Sequence, residues 1–289
     1  MGVWGSGLYS GDFGADLRAA VTAVARLPFE GDHLLEILMG IEPDAATNPK
    51  DEDHTTFWLV VADQFAKRGV VCDQVRRTAL KIIDDGQDVE MLRSLGMEST
   101  LLKKRQSVLS EVRARITKVS DVKARVVLKK PQPFLMTAGD VFVYPTSQGH
   151  CINSYYPSKE RMPDWKQDGW SAAIIVEVGR VFDFLVWYRP LIVPGAVSQK
   201  PELAWLSSVS PWVLRRPGPL SAVHFKRMEL EKIGSVSVDI SKVERLFPNR
   251  RSGIYQVVND ISLVNELSTT PYSSLKEYPK LPRLVEIIS

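Results

Sequence analysis

From residue 12 to residue 118 the apolar positions recur every three or four residues, the period of an amphipathic helix. Leu17, Val21, Val24 and Leu27 define a helix over Asp12–Leu27, with Asp12 placed to cap it and Pro28 to end it. A short helix is predicted over Asp32–Met39, with Gly40 as its stop. The acid-rich stretch 48–56 precedes Phe57, Val60, Val61 and Phe65 and suits the positive end of a helix dipole, while Gly69 is placed to terminate that helix. Helices follow over Asp73–Asp84 and Val89–Leu95. The clearest stripe is Leu101, Leu102, Val108, Leu109, Val112 and Ile116, which leaves Lys103, Lys104, Arg105, Arg113 and Arg115 on a basic outer side.

After about Ser120, β-branched and aromatic runs bounded by Gly and Pro replace the helical spacing. Strands are predicted over Arg125–Leu128, Asp140–Tyr144, Ala172–Val178 and Val181–Tyr188. Gly179 and Arg180 read as the two-residue loop of a hairpin joining the last two, with Gly179 supplying the positive φ of a primed turn. Pro211, Pro217 and Pro219 mark a crossover. A helix at Ala222–Ile233, a strand at Val236–Ile240 and a short helix at Ser241–Leu246 follow it, and the last twenty residues, with Pro271, Pro279 and Pro282, read as loosely ordered. The pattern predicts an α+β protein: a helical region over 1–120, then a β-rich region with peripheral helices over 121–289, built on a small curved antiparallel sheet.

A chain of 289 residues, 44% hydrophobic and 25% charged, can bury a sizeable core without disulfides or metals. No apolar run approaches the roughly 18 residues of a membrane span, so no membrane partner is expected. The N-terminus shows no basic segment followed by an apolar one, so a secretory leader is not expected and a cytoplasmic location is. Gly2 fits the short pattern for N-myristoylation, which is too brief to carry that assignment. Cys72 and Cys151 stand 79 positions apart, which argues against a disulfide framework or a cysteine-rich zinc site. Net charge is +3, unevenly spread: residues 1–60 hold ten acids and three bases, residues 61–130 nine acids and sixteen bases. Such asymmetry can steer a charged partner, or simply neutralise itself within a helical layer.

Each candidate for chemistry has a plainer reading. Gly5, Gly7 and Gly11 lack the preceding strand and the spacing of a dinucleotide loop, and read as a tight turn. Asp12 and Asp16 could share a helical face, but no further ligand follows at the next turn, so capping and surface roles are expected. Asp51, Glu52, Asp53 and His54 read as a helix start rather than a metal site. His150 and Cys151 are neighbours that a strand would point to opposite faces, which disfavours a thiolate–imidazole pair, and His33, His54 and His224 are remote in sequence. No serine-hydrolase elbow, zinc-protease helix or phosphate-loop lysine motif is found. Catalytic residues, metal and cofactor are therefore all assigned as none.

Aromatic and basic residues do gather: Tyr155, Tyr156, Lys159, Arg161, Trp165, Lys166 and Trp170, then Trp187, Tyr188 and Arg189. Trp, Tyr and Arg are the usual anchors of protein interfaces, and the same types can stack bases.

The opening residues Trp4, Gly5, Gly7, Asp12 and Asp16 resemble the Trp-Gly-x-Gly, Asp-x-x-x-Asp start of a family of bacterial proteins with no known chemistry, often described near toxin-immunity genes. The resemblance covers about the first 30 residues, and these positions read as structural. Ala138–Pro145, containing Gly139, Asp140, Val141, Phe142 and Pro145, resembles the first core strand of an immunity-protein family. That similarity spans Pro133 to Leu191, and the chain departs from it in the aromatic insertion reaching Trp170. The resulting reading is a non-catalytic protein-recognition protein, an immunity protein that binds and neutralises a toxin. Tyr155, Tyr156, Arg161, Trp165 and Trp170 are its partner-binding residues. The alternatives are an enzyme of unrecognised class and a nucleic-acid-associated defence or regulatory protein.

Overall fold

The structure, a computed structural model, describes residues 5–118, 125–193, 196–206, 212–248, 258, 263–268 and 288. Trp4, residue 120 and the proline-rich last twenty residues other than Ile288 lie outside that set. The fold is α+β, in two compact units: Met1–Lys130 with Val258–Asp260, and Pro131–Val257 with Ile261–Ser289.

The first unit carries seven helices among the described residues: α1 (Asp12–Val24), α2 (Gly31–Ile41), α3 (Pro43–Thr47), α4 (His54–Arg68), α5 (Asp73–Asp84), α6 (Gln87–Ser94) and α7 (Ser99–Thr117). Helix α4 is the axle. Every residue from Phe57 to Phe65 is buried, because α1, α3, α5, α6 and α7 all pack on it. It ends where Gly69 turns left-handed at φ 66°, a conformation that costs a side-chain-bearing residue but not glycine. The segment after it is pressed onto α2: a Cβ on Gly31 would lie 1.9 Å from the Val71 carbonyl oxygen.

Several expected helix boundaries move. Helix α1 stops at Val24, and Gly11 occupies its N-cap, so Asp12 is the first helical residue and acts through its charge rather than as a side-chain cap. Gly40 lies inside α2 and does not end it. Arg125–Leu128 is not a strand. Its backbone is held by the helical unit instead: the Arg125 guanidinium donates to the Ala25, Leu27 and Phe29 carbonyls, and Leu128 N–H donates to Arg26 O at 2.8 Å.

The second unit is built on an open antiparallel sheet of six strands: β1 (Asp140–Ser147), β2 (His150–Cys151), β3 (Gly169–Val181), β4 (Leu185–Ile192), β5 (Val213–Leu214) and β6 (Glu231–Ser235). Their order is β2-β1-β3-β4-β5, and β6 lies along the first half of β1. Alternation along the strands feeds two cores. Phe142, Tyr144, Ala173, Ile175 and Tyr188 enter one, while Val141, Val143, Ala172, Ile174 and Trp212 enter the other. Short helices α8 (Leu203–Leu206), α9 (Ala222–Arg227), α10 (Ile240–Leu246) and α11 (Leu263–Leu267) accompany the sheet.

The hairpin exists, but its turn lies three residues later than expected. Gly179 pairs with Trp187 and Arg180 with Val186; the turn is Phe182–Phe184, with Phe182 and Asp183 both left-handed at φ 52° and 60°. Gly179 serves packing instead, since a Cβ there would lie 2.5 Å from the Trp187 indole. Downstream, the expected Ala222–Ile233 helix ends at Arg227, and the strand expected at Val236–Ile240 forms earlier, at Glu231–Ser235. Pairing with β1 decides that register, and Asp239 caps α10 by accepting from Lys242 N–H at 3.2 Å.

Candidate functional site

The loop Ile152–Asp168 leaves β2 and returns at β3, and a set of polar contacts fixes its backbone. Asn153 Oδ1 accepts from Tyr155 N–H at 3.1 Å, and Asn153 O accepts from Tyr156 N–H at 3.1 Å, a side-chain-templated turn. Arg227 of α9 donates to Ser154 O at 3.1 Å. Lys159 pairs with Glu229 at 2.8 Å, and its ammonium stands 6.0 Å from the Trp165 ring centroid. At the loop's end, Asp168 N–H donates to Thr146 O and Asp168 Oδ2 accepts from Gln148 N–H at 2.7 Å.

On this frame Tyr155 is 51% and Tyr156 37% exposed, and the Tyr155 ring meets the His224 imidazole edge-on at 4.9 Å. Arg161, in a single 3-10 turn over Lys159–Arg161, is exposed. Trp165 is half-buried, with its indole N–H out of solvent. Trp170 belongs to the sheet rather than the loop: it pairs with Pro145 in β1 and bridges Val197, and Lys200 lies 5.4 Å from its ring centroid. The structure thus brings Tyr155 to His224 and Trp165 to Lys159, with Tyr156 exposed beside Tyr155 on the same turn. Arg227 and Glu229, which hold the loop in place, were not singled out from the sequence, and His224 was weighed there only as a remote imidazole for Cys151, because nothing local to α9 marks these residues as partners of the loop.

Cys151 is not set up as a nucleophile. His150 and Cys151 point to opposite sides of β2, the first exposed and the second buried. The Cys151 thiol donates to Val264 O at 3.2 Å, and burial pushes it up to about 11, against a lowering contact with Ser268. Burial also raises the Cys72 thiol, and both cysteines are free.

Of the N-terminal motif residues, Gly7 is held in a structural clamp. Arg105 of α7 donates to Gly7 O at 2.9 Å while gripping Asp88 through two bonds of 2.8 and 2.9 Å, and Thr55 also donates to Asp88. Both charged groups are buried, so Arg105 is a core residue and not part of a basic outer side. A Cβ on Gly7 would lie 2.6 Å from Ser10 Oγ, whereas one on Gly5 would meet the same side chain at an ordinary 3.4 Å. Two residues on, the Tyr9 hydroxyl donates to Asp63, a carboxylate only 1% exposed that also pairs with Lys67 at 2.6 Å and with Arg115. Arg18 and Lys67 stand 5.0 and 5.3 Å from the Tyr9 ring centroid.

Beside this clamp the carboxylates crowd. Burial, then Glu52 and Asp51, push Asp53 up to about 6; burial, then Asp16, Asp53 and Asp51, raise Glu42; burial, then Asp12, raises Asp16. Among the described residues no three His, Cys, Asp or Glu side chains converge as metal ligands, and no helix is long and apolar enough to cross a membrane. Comparison with known proteins finds no matching family model, no matching curated protein and no matching solved structure.

Proposed function

We propose that this chain is a non-catalytic protein-recognition protein, of the kind an immunity protein is when it covers and neutralises a bacterial toxin. The observation that carries the reading is the Tyr155–Tyr156 pair, two exposed aromatic side chains on backbone tied down by Asn153, Arg227 and the Lys159–Glu229 ion pair. Aromatic groups on a pre-ordered loop lose little freedom on binding and bring a large contact area, which is how interface anchors work. Arg161 supplies an exposed guanidinium on the same loop. The resemblance of Ala138–Pro145 to an immunity-protein strand points the same way, and two free cysteines suit a reducing compartment such as the cytoplasm.

The rivals draw less support. A cysteine enzyme would need a thiolate, and the Cys151 thiol is held protonated against Val264 O. A nucleic-acid groove along α7 would need its row of cations free. Yet Arg105, Arg113 and Arg115 pair with Asp88, Asp84 and Asp63, which leaves Lys103 and Lys104 as the exposed remainder of that row.

The test is a pull-down with the tagged full chain at moderate and high salt, beside the variant Tyr155→Ala/Tyr156→Ala. A stoichiometric protein retained by the wild type and lost by the folded variant supports the reading. Retention of nuclease-sensitive material that salt removes would favour the nucleic-acid alternative.

A further inference from the structure

Within the first unit, α4, the amino end of α5 and the carboxyl end of α7 enclose a cleft of about 310 Å³, the size at which small-molecule sites begin. Its floor is apolar: Ala62, Phe65, Ala66, Val70, Val75 and Ile116 line it. Its charged lining is three cations, Arg76, Arg115 and Lys118, against one carboxylate, Asp73. Arg76 and Lys118 are exposed, and Arg115 lines the cleft while also pairing with the buried Asp63. Val71 lines the cleft too and is 81% exposed.

An apolar trough with an excess of positive charge matches a ligand whose body is apolar and whose head is a single anion. We propose that this cleft binds a small amphipathic carboxylate, an aliphatic chain of medium length that lies on the Phe65–Val75–Ile116 floor with its acid group toward Arg76 and Lys118. A neutral chain would forgo the attraction of Arg76 and Lys118, and a bare anion would leave the floor wet; the site favours a ligand that has both parts. This inference concerns a different surface from the Tyr155 loop and stands or falls independently of the protein-recognition reading.

Isothermal titration calorimetry of the full chain tests it, with decanoate below its micellar concentration as the probe and decanol and acetate as controls. The expected result is saturable one-to-one binding of decanoate, at least tenfold tighter than either control and weakened by added salt, which screens the head-group contact. Arg76→Glu with Lys118→Glu should lower decanoate affinity at least tenfold, and Ala66→Phe, which fills the floor, should abolish it. Decanol binding as tightly as decanoate, no saturable heat, or folded variants that bind like the wild type would overturn the proposal. If the variants lose their far-ultraviolet dichroism, the ranking of the three probes on the wild type decides alone.

Discussion

Arg105 and Asp88 form a buried ion pair whose cation also holds the N-terminal segment, since the same guanidinium donates to Gly7 O at 2.9 Å. Three elements meet at this one side chain: α6 through Asp88, α7 through Arg105 itself, and the glycine-rich opening. Removing one member strands the other charge in the core, which costs far more than the pair contributes over an apolar replacement. Arg105→Ala is therefore expected to destabilise the protein by about 3–5 kcal/mol, whereas Arg105→Met with Asp88→Leu should recover most of that loss. Urea unfolding of the two variants checks this; equal losses would contradict it.

The helical half of the chain was largely legible because each helix carries its own signal, a buried stripe and a terminator such as Gly69. Arg105 shows where that legibility ends. It lies three residues after Leu102 and four before Leu109, both buried, so the periodicity alone places it on the inner face; its charge argued for the outside, and only Asp88, 17 residues away, reconciles the two. The same holds for Tyr9 and Asp63, whose bond spans 54 positions.

The sheet half was less legible because register there is set by partners and not by local composition. Gly179 carries the usual mark of a hairpin turn, yet it sits mid-strand to admit the Trp187 indole, and two residues with ordinary side chains take the left-handed turn. Of the candidate site, the aromatic loop was visible in composition, while its supports on α9 and the membership of Trp170 in β3 depend on the fold.

That reassignment gives its own test. Gly179→Ala should destabilise the second unit by about 1–3 kcal/mol through overpacking against Trp187 and shift its near-ultraviolet tryptophan signal. Asp183→Gly should be neutral or stabilising by up to about 1 kcal/mol, because glycine adopts φ 60° without strain. Thermal unfolding of both distinguishes this turn from one centred on Gly179.

The Tyr9 hydroxyl donates to a buried carboxylate, so Tyr9→Phe is expected to lose about 1–3 kcal/mol even though the Asp63 ion pairs remain. Lys67, Tyr9 and Arg115 hold Asp63 below the usual carboxylate range despite the opposing effect of its burial. Its contribution is present above its unfolded pKa of about 3.9 and is lost as pH falls through the lower folded value. Asp63→Asn should accordingly flatten the acid limb of the stability–pH curve.

Asp53 carries the opposite sign. Burial, Glu52 and Asp51 raise it to about 6, so the folded state resists its ionisation: its favourable contribution holds below the unfolded pKa and is lost as pH rises through about 6. Asp53→Asn is expected to raise the unfolding free energy from urea titration at pH 8 by a modest amount, of order 0.5 kcal/mol or less for this half-exposed group, and to leave it nearly unchanged at pH 4. A larger gain at pH 4 than at pH 8 would contradict the assignment.

The most direct test of the recognition account is the dissociation constant of the chain for the protein it retains, measured by calorimetry for the wild type and for Tyr155→Ala/Tyr156→Ala. The account predicts a loss of at least about 2 kcal/mol, roughly thirtyfold in affinity, with unchanged thermal unfolding of the free chain. An affinity unaltered by removing both rings would contradict it.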